Sequence, residues 1–332
     1  MKWAHPSNER DRGAALITVL SMLAIMAALA VVVVDAADMS MRRAANQLAM
    51  EQTRWYLMGA ESFAAAQLSD LRRRAESQRI DQSDWQGRIF EFPLDDGLMR
   101  VSLRDGSNCF NLNSVVQSNE GAGVTVSSAG VLQFALLLDR LDVRTDRVAL
   151  GATLADWIDA DSVPSPGGAE DGLYNGAPYR PANTLLADIS ELRRVKGFDD
   201  EIIGRLAGVA CARPTTAPNR LNPNTLSLEQ APLLAMALPD ITLEQARRII
   251  RDRPRGGWED VDAFFAHPLL AGLEFNEVRR ASFSMQGDYY VMWAQVEREG
   301  GRESAAALLR LQGETGVVVR RVFGARAAER AL

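Results

Sequence analysis

The densest gathering of chemically useful side chains lies between Asp156 and Glu191, where Asp156, Asp159, Asp161, Glu170, Asp171, Asn183, Asp188 and Glu191 border a loop rich in Gly and Pro, Ser162 to Gly168. Hard oxygen donors on such a loop suit Ca²⁺, which takes roughly six to eight oxygens at flexible geometry. The spacing fits a solvated acidic loop equally well. It is not an EF-hand, because the alternation Asp159-x-Asp161 reaches Val163 rather than a third acid. Paired carboxylates also serve hydrolysis, but nothing else near them looks catalytic.

Other counts narrow the chemistry. The 332 residues contain 2 histidines, His5 and His267, so a multi-histidine zinc site is excluded and a Ser-His-Asp triad would have to use His267, between Ala266 and Pro268. GxxxxGK[ST], GxGxxG opening a helix, HExxH and GxSxG are all absent, and no enzyme is expected. A net charge of −6 argues against nucleic acid as the main partner.

The elements that must position these groups begin with an uncharged run, Ala14 to Val34, about 31 Å long as a helix and enough to cross a bilayer. Lys2, Arg10 and Arg12 precede it and Asp35 and Asp38 follow, which keeps the N-terminus in the cytoplasm and exports the remainder. A secretory signal peptide cleaved near Val34-Asp35-Ala36, leaving a mature start at Ala37, is the simplest alternative, but the run exceeds the roughly 7–15 residues of a signal core. Helical spacing also continues through Met41, Ala44, Ala45, Leu48, Trp55, Met58, Ala65 and Leu68, with no proline before Pro93. One helix from Ala14 to about Arg79 is predicted, with Trp55 and Met58 turned to a sheet. The only cysteines, Cys109 and Cys211, both fall on the exported side, where a bridge can form; two separate buried thiols are the other possibility.

A short charged leader ending in Gly13, then Ala14 opening an apolar helix that becomes amphipathic, resembles the class III leader of type IV pilins and type II secretion pseudopilins. The resemblance implies cleavage after Gly13 by the prepilin peptidase and methylation of the new N-terminus at Ala14. Most members carry Glu at the fifth mature position, whereas Thr18 stands here, a departure shared with the large minor pseudopilin K. Asn108-Cys109-Phe110-Asn111-Leu112-Asn113, Leu154 through Asp161, Gly168-Ala169-Glu170-Asp171, Tyr174, Pro178-Tyr179-Arg180, Ala182-Asn183 and Asp188 through Arg193 extend the resemblance to family K over most of the chain. That family implies a non-enzymatic subunit at the tip of a periplasmic pseudopilus with the minor pseudopilins I and J and other pseudopilins. It also implies initiation of assembly, anchoring in the inner membrane, contact with secreted substrates or the secretin, and calcium in the insertion. On that basis Asp159, Asp161, Glu170, Asp171 and Asn183 are the expected ligands.

Alternating residues on either side of Asp95-Asp96-Gly97 predict a hairpin, and strands return only at Tyr289–Val296, Ala305–Leu311 and Val317–Phe323. The intervening chain reads as helical. The fold class is therefore α+β: a pilin-like long N-terminal helix on an antiparallel sheet, with a large inserted all-α domain of SAM or helix-hairpin-helix type. The expected divisions are a leader (1–13), a transmembrane stretch (14–34), the first pilin-like part (35–115), the insertion (116–280) and the C-terminal strands (281–332). Asn222-Pro223-Asn224-Thr225, Ala246 through Arg251 and Gly256 through Asp260 resemble helix-hairpin-helix repeats, which makes a membrane-anchored, competence-type DNA-binding protein the alternative. Asp240 in one hairpin and Asp199-Asp200-Glu201 after the partial copy, Leu192 to Phe198, oppose phosphate, so no nucleic acid is expected.

Overall fold

The structure is a computed structural model describing residues 9–77, 85–119, 123–298 and 301–324. Helix α1 (Glu9–Ser77) contains the apolar run, a segment long and apolar enough to cross a membrane. The leader up to residue 8 and the predicted helix end at Arg79 lie outside the described residues. The chain divides into two units, Met1–Tyr56 and Leu57–Leu332. In the first, every side chain from 14 to 52 is exposed, including Leu20, Leu23, Val32 and Met41.

Within the second unit, α1 presents Leu57, Ala60, Glu61, Ala64 and Leu68 inward, a spacing that lines one helical face. Phe63 packs edge-on against Phe90 and Phe92 at 5.2 and 4.9 Å. Trp55 and Met58 do not face the sheet as expected; they are 70% and 40% exposed. The buried face is carried instead by Leu57, Ala60, Ala64 and Leu68, and β9 comes close to α1 at Ala65, where a Cβ on Gly316 would sit 3.2 Å from Ala65 Cα.

The sheet is antiparallel, ordered β1-β2-β7-β8-β9, from β1 (Ile89–Leu94), β2 (Gly97–Asp105), β7 (Tyr289–Arg298), β8 (Gly301–Gln312) and β9 (Thr315–Phe323). β2 and β7 are hydrogen-bonded neighbours with Asp105 opposite Tyr290, so everything between them is an excursion from one edge-to-edge strand pair. Glu61 on α1, buried, holds Arg321 of β9 in a two-pronged ion pair.

The excursion contains α2 (Ser128–Arg140), α3 (Arg147–Ile158), α4 (Asp200–Leu206), α5 (Ala231–Ala237), α6 (Leu243–Arg251), α7 (Val261–Phe265) and α8 (Glu277–Ala281). They enclose one core that includes Phe134, Leu154, Ile158, Leu192, Leu206, Leu234, Ile249 and Phe264. Several of its helices start at side-chain caps, among them Ser127, Asp146 and Asp199, and at the Thr242–Gln245 capping box. The region is not purely helical. A parallel pair, β3 (Phe110–Asn111) with β6 (Ala210–Cys211), and a hairpin, β4 (Val116–Asn119) with β5 (Gly123–Val126), were invisible to periodicity because two to four residues give too few alternations to read. Phe110, Leu112 and Val115 pack into this core.

Candidate metal centre and the disulfide junction

Helix α3 is buried along nearly its whole length and stops where Asp159 turns extended, at ψ 171. The following loop is folded back by Asp156, whose buried carboxylate accepts the Ser165 N–H at 3.2 and 3.1 Å. Gly168 is required there, since a Cβ would lie 2.0 Å from Asp156 Oδ2. The turn brings Glu170 back to the end of α3. Asp159, Asp161 and Glu170 then each offer an oxygen within 4.8 Å of the others.

These carboxylates are poorly compensated. Asp159 is 1% and Glu170 4% exposed, and Asp159 Oδ1 and both Glu170 carboxylate oxygens are buried without a hydrogen-bond partner. Burial first, then the charges of Asp161, Asp156 and Glu170, push Asp159 up to about 7. Glu170 is raised as well, by burial and then by Asp156. Among the described residues none forms an ion pair with Asp159, Asp161 or Glu170, and such orphaned, mutually repelling carboxylate oxygens fit a hard divalent cation.

Of the other predicted ligands, Asn183 stands beside the group through a second role: its Nδ2 donates to the Asp161 carbonyl at 2.9 Å. Its φ of +48 is a backbone state that asparagine tolerates better than most residues. Asp171 is turned outward and pairs with Arg180 at 2.9 Å. Asp188 and Glu191 form the capping box of a 3₁₀ turn, and Asp188 also pairs with Arg320.

Cys109 and Cys211 are bridged, with Cα atoms 5.8 Å apart, across the β3–β6 pair. Sequence reasoning missed what surrounds the bridge. Asn111 donates to the Thr215 and Ala217 carbonyls, Asn113 to Leu186 and Arg213, and Asn222 to Asp105 Oδ2 at 2.7 Å. Thr225 Oγ1 also donates to Asp105, so the end of β2 is tied to the insertion through one buried carboxylate. The signal lay in the asparagines of Asn108 to Asn113 and Asn222 to Asn224, whose amides can replace missing backbone partners.

The segment with the helix-hairpin-helix resemblance contains two short helices. α5 and α6 are joined by Leu238 to Thr242, and the exposed Asp240 of that turn pairs with Arg279 at 2.9 Å.

The chain is similar to known proteins. The chain matches the family described as Type II secretion system (T2SS), protein K, at residues 108–215 and again at 221–286. It is 34% identical over 320 residues to type II secretion system protein K of Pectobacterium carotovorum subsp. carotovorum, covering 95% of this chain and 97% of that protein. The Klebsiella pneumoniae protein of the same name is 32% identical over 321 residues, covering 96% and 98%. A chain of the crystal structure of the GspK-GspI-GspJ complex from the enterotoxigenic Escherichia coli type 2 secretion system superposes with a TM-score of 0.71 at 31% identity, over 85% of this chain and 99% of that one. With an apolar N-terminal helix, an antiparallel sheet, an insertion between β2 and β7, and near full-length similarity, this chain belongs to the type II secretion system protein K family.

Proposed function

We propose that the chain is a minor pseudopilin that sits at the tip of the type II secretion pseudopilus, initiates its assembly and supports export of folded proteins. The observation that carries this reading is the continuity of α1, which runs from the apolar segment into the helix face packed on the sheet. A removable signal peptide has no need of such a helix; a subunit that leaves lipid to join a helical bundle does. Partners of the class of minor pseudopilins I and J are supported by the related chain, which was solved in the GspK-GspI-GspJ complex.

On this reading the N-terminus is cytoplasmic, the prepilin peptidase cuts after Gly13, and the Ala14 amine is methylated. The role is structural and not catalytic. Ca²⁺ held by Asp159, Asp161 and Glu170, with Asn183 bracing the Asp161 carbonyl, would lock the loop after α3. The hairpin at Asp240 is read as scaffold, since its carboxylate and its pairing with Arg279 oppose phosphate.

N-terminal sequencing of the protein from membranes of a strain with an active prepilin peptidase tests the reading. A methylated start at Ala14, together with co-purification of I- and J-type pseudopilins, is expected; a start at Ala37 overturns it.

A further inference from the structure

The two sulfurs of the bridge are not equivalent. Cys109 lines a cleft of ≈ 600 Å³ bordered by Asn219, Leu136, Met236 and Val278, and is 4% exposed, whereas Cys211 is fully buried at 0%. Arg213 Nη2 lies 3.4 Å from Cys109 Sγ, and Asn219 Nδ2 lies 3.0 Å from it. Among the described residues, the side-chain donor at Cys211 Sγ is the Asn219 amide alone, at 3.4 Å. Each sulfur faces one carbonyl, Gly106 for Cys109 and Phe110 for Cys211, so the asymmetry is entirely one of positive and donor groups.

Arg213 is an unusual neighbour. It is fully buried, its Nε and Nη1 have no hydrogen-bond partner, and its guanidinium lies 5.0 Å over the Tyr289 ring. Among the described residues no carboxylate forms an ion pair with it. A buried cation in that position favours a negative charge beside it; its Nη2 donates to the Gly106 carbonyl and also lies against Cys109 Sγ.

We propose that Cys109 is the reactive thiol of this pair, with Arg213 and Asn219 as positioning residues that stabilise its thiolate during disulfide exchange. The co-reactant is a disulfide oxidant, a small disulfide or an oxidoreductase's exposed one. The Cys109 thiolate attacks one sulfur of the oxidant and expels the other as a thiolate, giving a mixed disulfide. Cys211, after losing its proton to solvent, attacks Cys109 Sγ and releases the oxidant's remaining sulfur as a thiolate. The pair is oxidised by two electrons and the oxidant is reduced by two. The same stabilisation of the reduced form raises the reduction potential of the bridge above that of an unassisted structural disulfide.

Other charged groups around the site leave this assignment in place. Burial lowers Arg213 to about 10, so it is cationic at neutral pH. Asp105, buried and raised, is occupied by Asn222 and Thr225; Arg320 pairs with Asp188, Arg220 with Asp288, and Arg279 with Asp240.

The test uses the full chain in detergent, reduced under native conditions and exposed to oxidised glutathione and, separately, to iodoacetamide between pH 5 and 9. Mass spectrometry is expected to find glutathione on Cys109, and alkylation at pH 7 at least about tenfold faster there than at Cys211, with a midpoint below the free-thiol value of about 8.5. Cys211→Ser and Cys109→Ser report each thiol alone. Arg213→Met is expected to return the Cys109 midpoint toward that of a free thiol, and Arg213→Lys to restore part of the shift. Glutathione on Cys211, equal alkylation rates, or a Cys109 midpoint unchanged in folded Arg213→Met overturns the proposal. Should Arg213→Met fail to fold by circular dichroism, the wild-type labelling order and pH midpoint decide alone.

Discussion

Asp159 and Glu170 hold carboxylate oxygens in the interior with nothing donating to them, an arrangement that costs folding free energy unless a proton or a cation arrives. The sign of the pH dependence follows. Asp159 has its pKa raised from 3.8 to about 7, so between these values the folded protein holds a proton that the unfolded chain does not. Without metal, stability is then greatest below about pH 4 with respect to this group and falls as pH rises toward 7. Bound Ca²⁺ reverses the preference, because it needs the deprotonated form. Thermal melts with and without Ca²⁺ at pH 5 to 8 are expected to diverge as pH rises, and Asp159→Asn with Glu170→Gln is expected to abolish both the divergence and calorimetric Ca²⁺ binding. Equal melts at every pH would remove the metal from the account. The acids of this site were legible in the sequence as a cluster, but not their division of labour. Asp171 and Asp161 are equally plausible by spacing, and only the folded loop shows that the exposed Asp161 carries an oxygen near Asp159 and Glu170 while Asp171 meets Arg180.

At the scale of the elements, long strands and the long helix could be read because their residues repeat a period many times. The β1–β2 hairpin and the three C-terminal strands fall where alternation put them, within a few residues. The rotation of α1 could not be read so easily, since its outward and inward faces both carry apolar residues: Trp55 and Met58 face out, Leu57 and Leu68 in. In a chain that assembles with like helices, exposed apolar side chains no longer mark the core. Truncation separates the two faces. Leu68→Ala, at a site 0% exposed against β9, is expected to lose about 2–5 kcal/mol in denaturant unfolding of the full chain in detergent. Trp55→Ala is expected to change that stability by less than about 0.5 kcal/mol, while weakening co-purification of partner pseudopilins if this face meets their helices. A large stability loss at Trp55 would mean that the inward face has been assigned wrongly. The short strands β3 and β6 had no period to read at all, yet the two cysteines marked their position: a bridge needs Cα atoms within a few ångströms, and a parallel pair supplies that spacing.

For the whole molecule, the pairing of Asp105 with Tyr290 makes the insertion a detour between neighbouring strands of one sheet. The sheet's own closure does not require it, since Leu94 and Gly97 show that the same sheet already turns between adjacent strands through two residues, Asp95 and Asp96. The insertion, for its part, has a separate core, its own disulfide, and the candidate metal loop. Replacing residues 106–289 by Asn-Gly, a pair suited to a two-residue hairpin turn, is therefore expected to leave the helix and five strands folded. Helix packing through Leu57, Ala64 and Leu68 and the Glu61–Arg321 pair remain in such a variant. Circular dichroism with a single cooperative unfolding transition would report success, and an aggregated or noncooperative product would show that the sheet depends on the insertion. Assembly and secretion then separate in a strain lacking the native protein. If α1 and the sheet carry subunit contacts, the shortened chain still co-purifies with I- and J-type partners. If the insertion meets substrate or the outer-membrane secretin, the same strain still fails to release exoproteins. Restored secretion would leave the insertion without that role, and lost co-purification would move the assembly surface onto it.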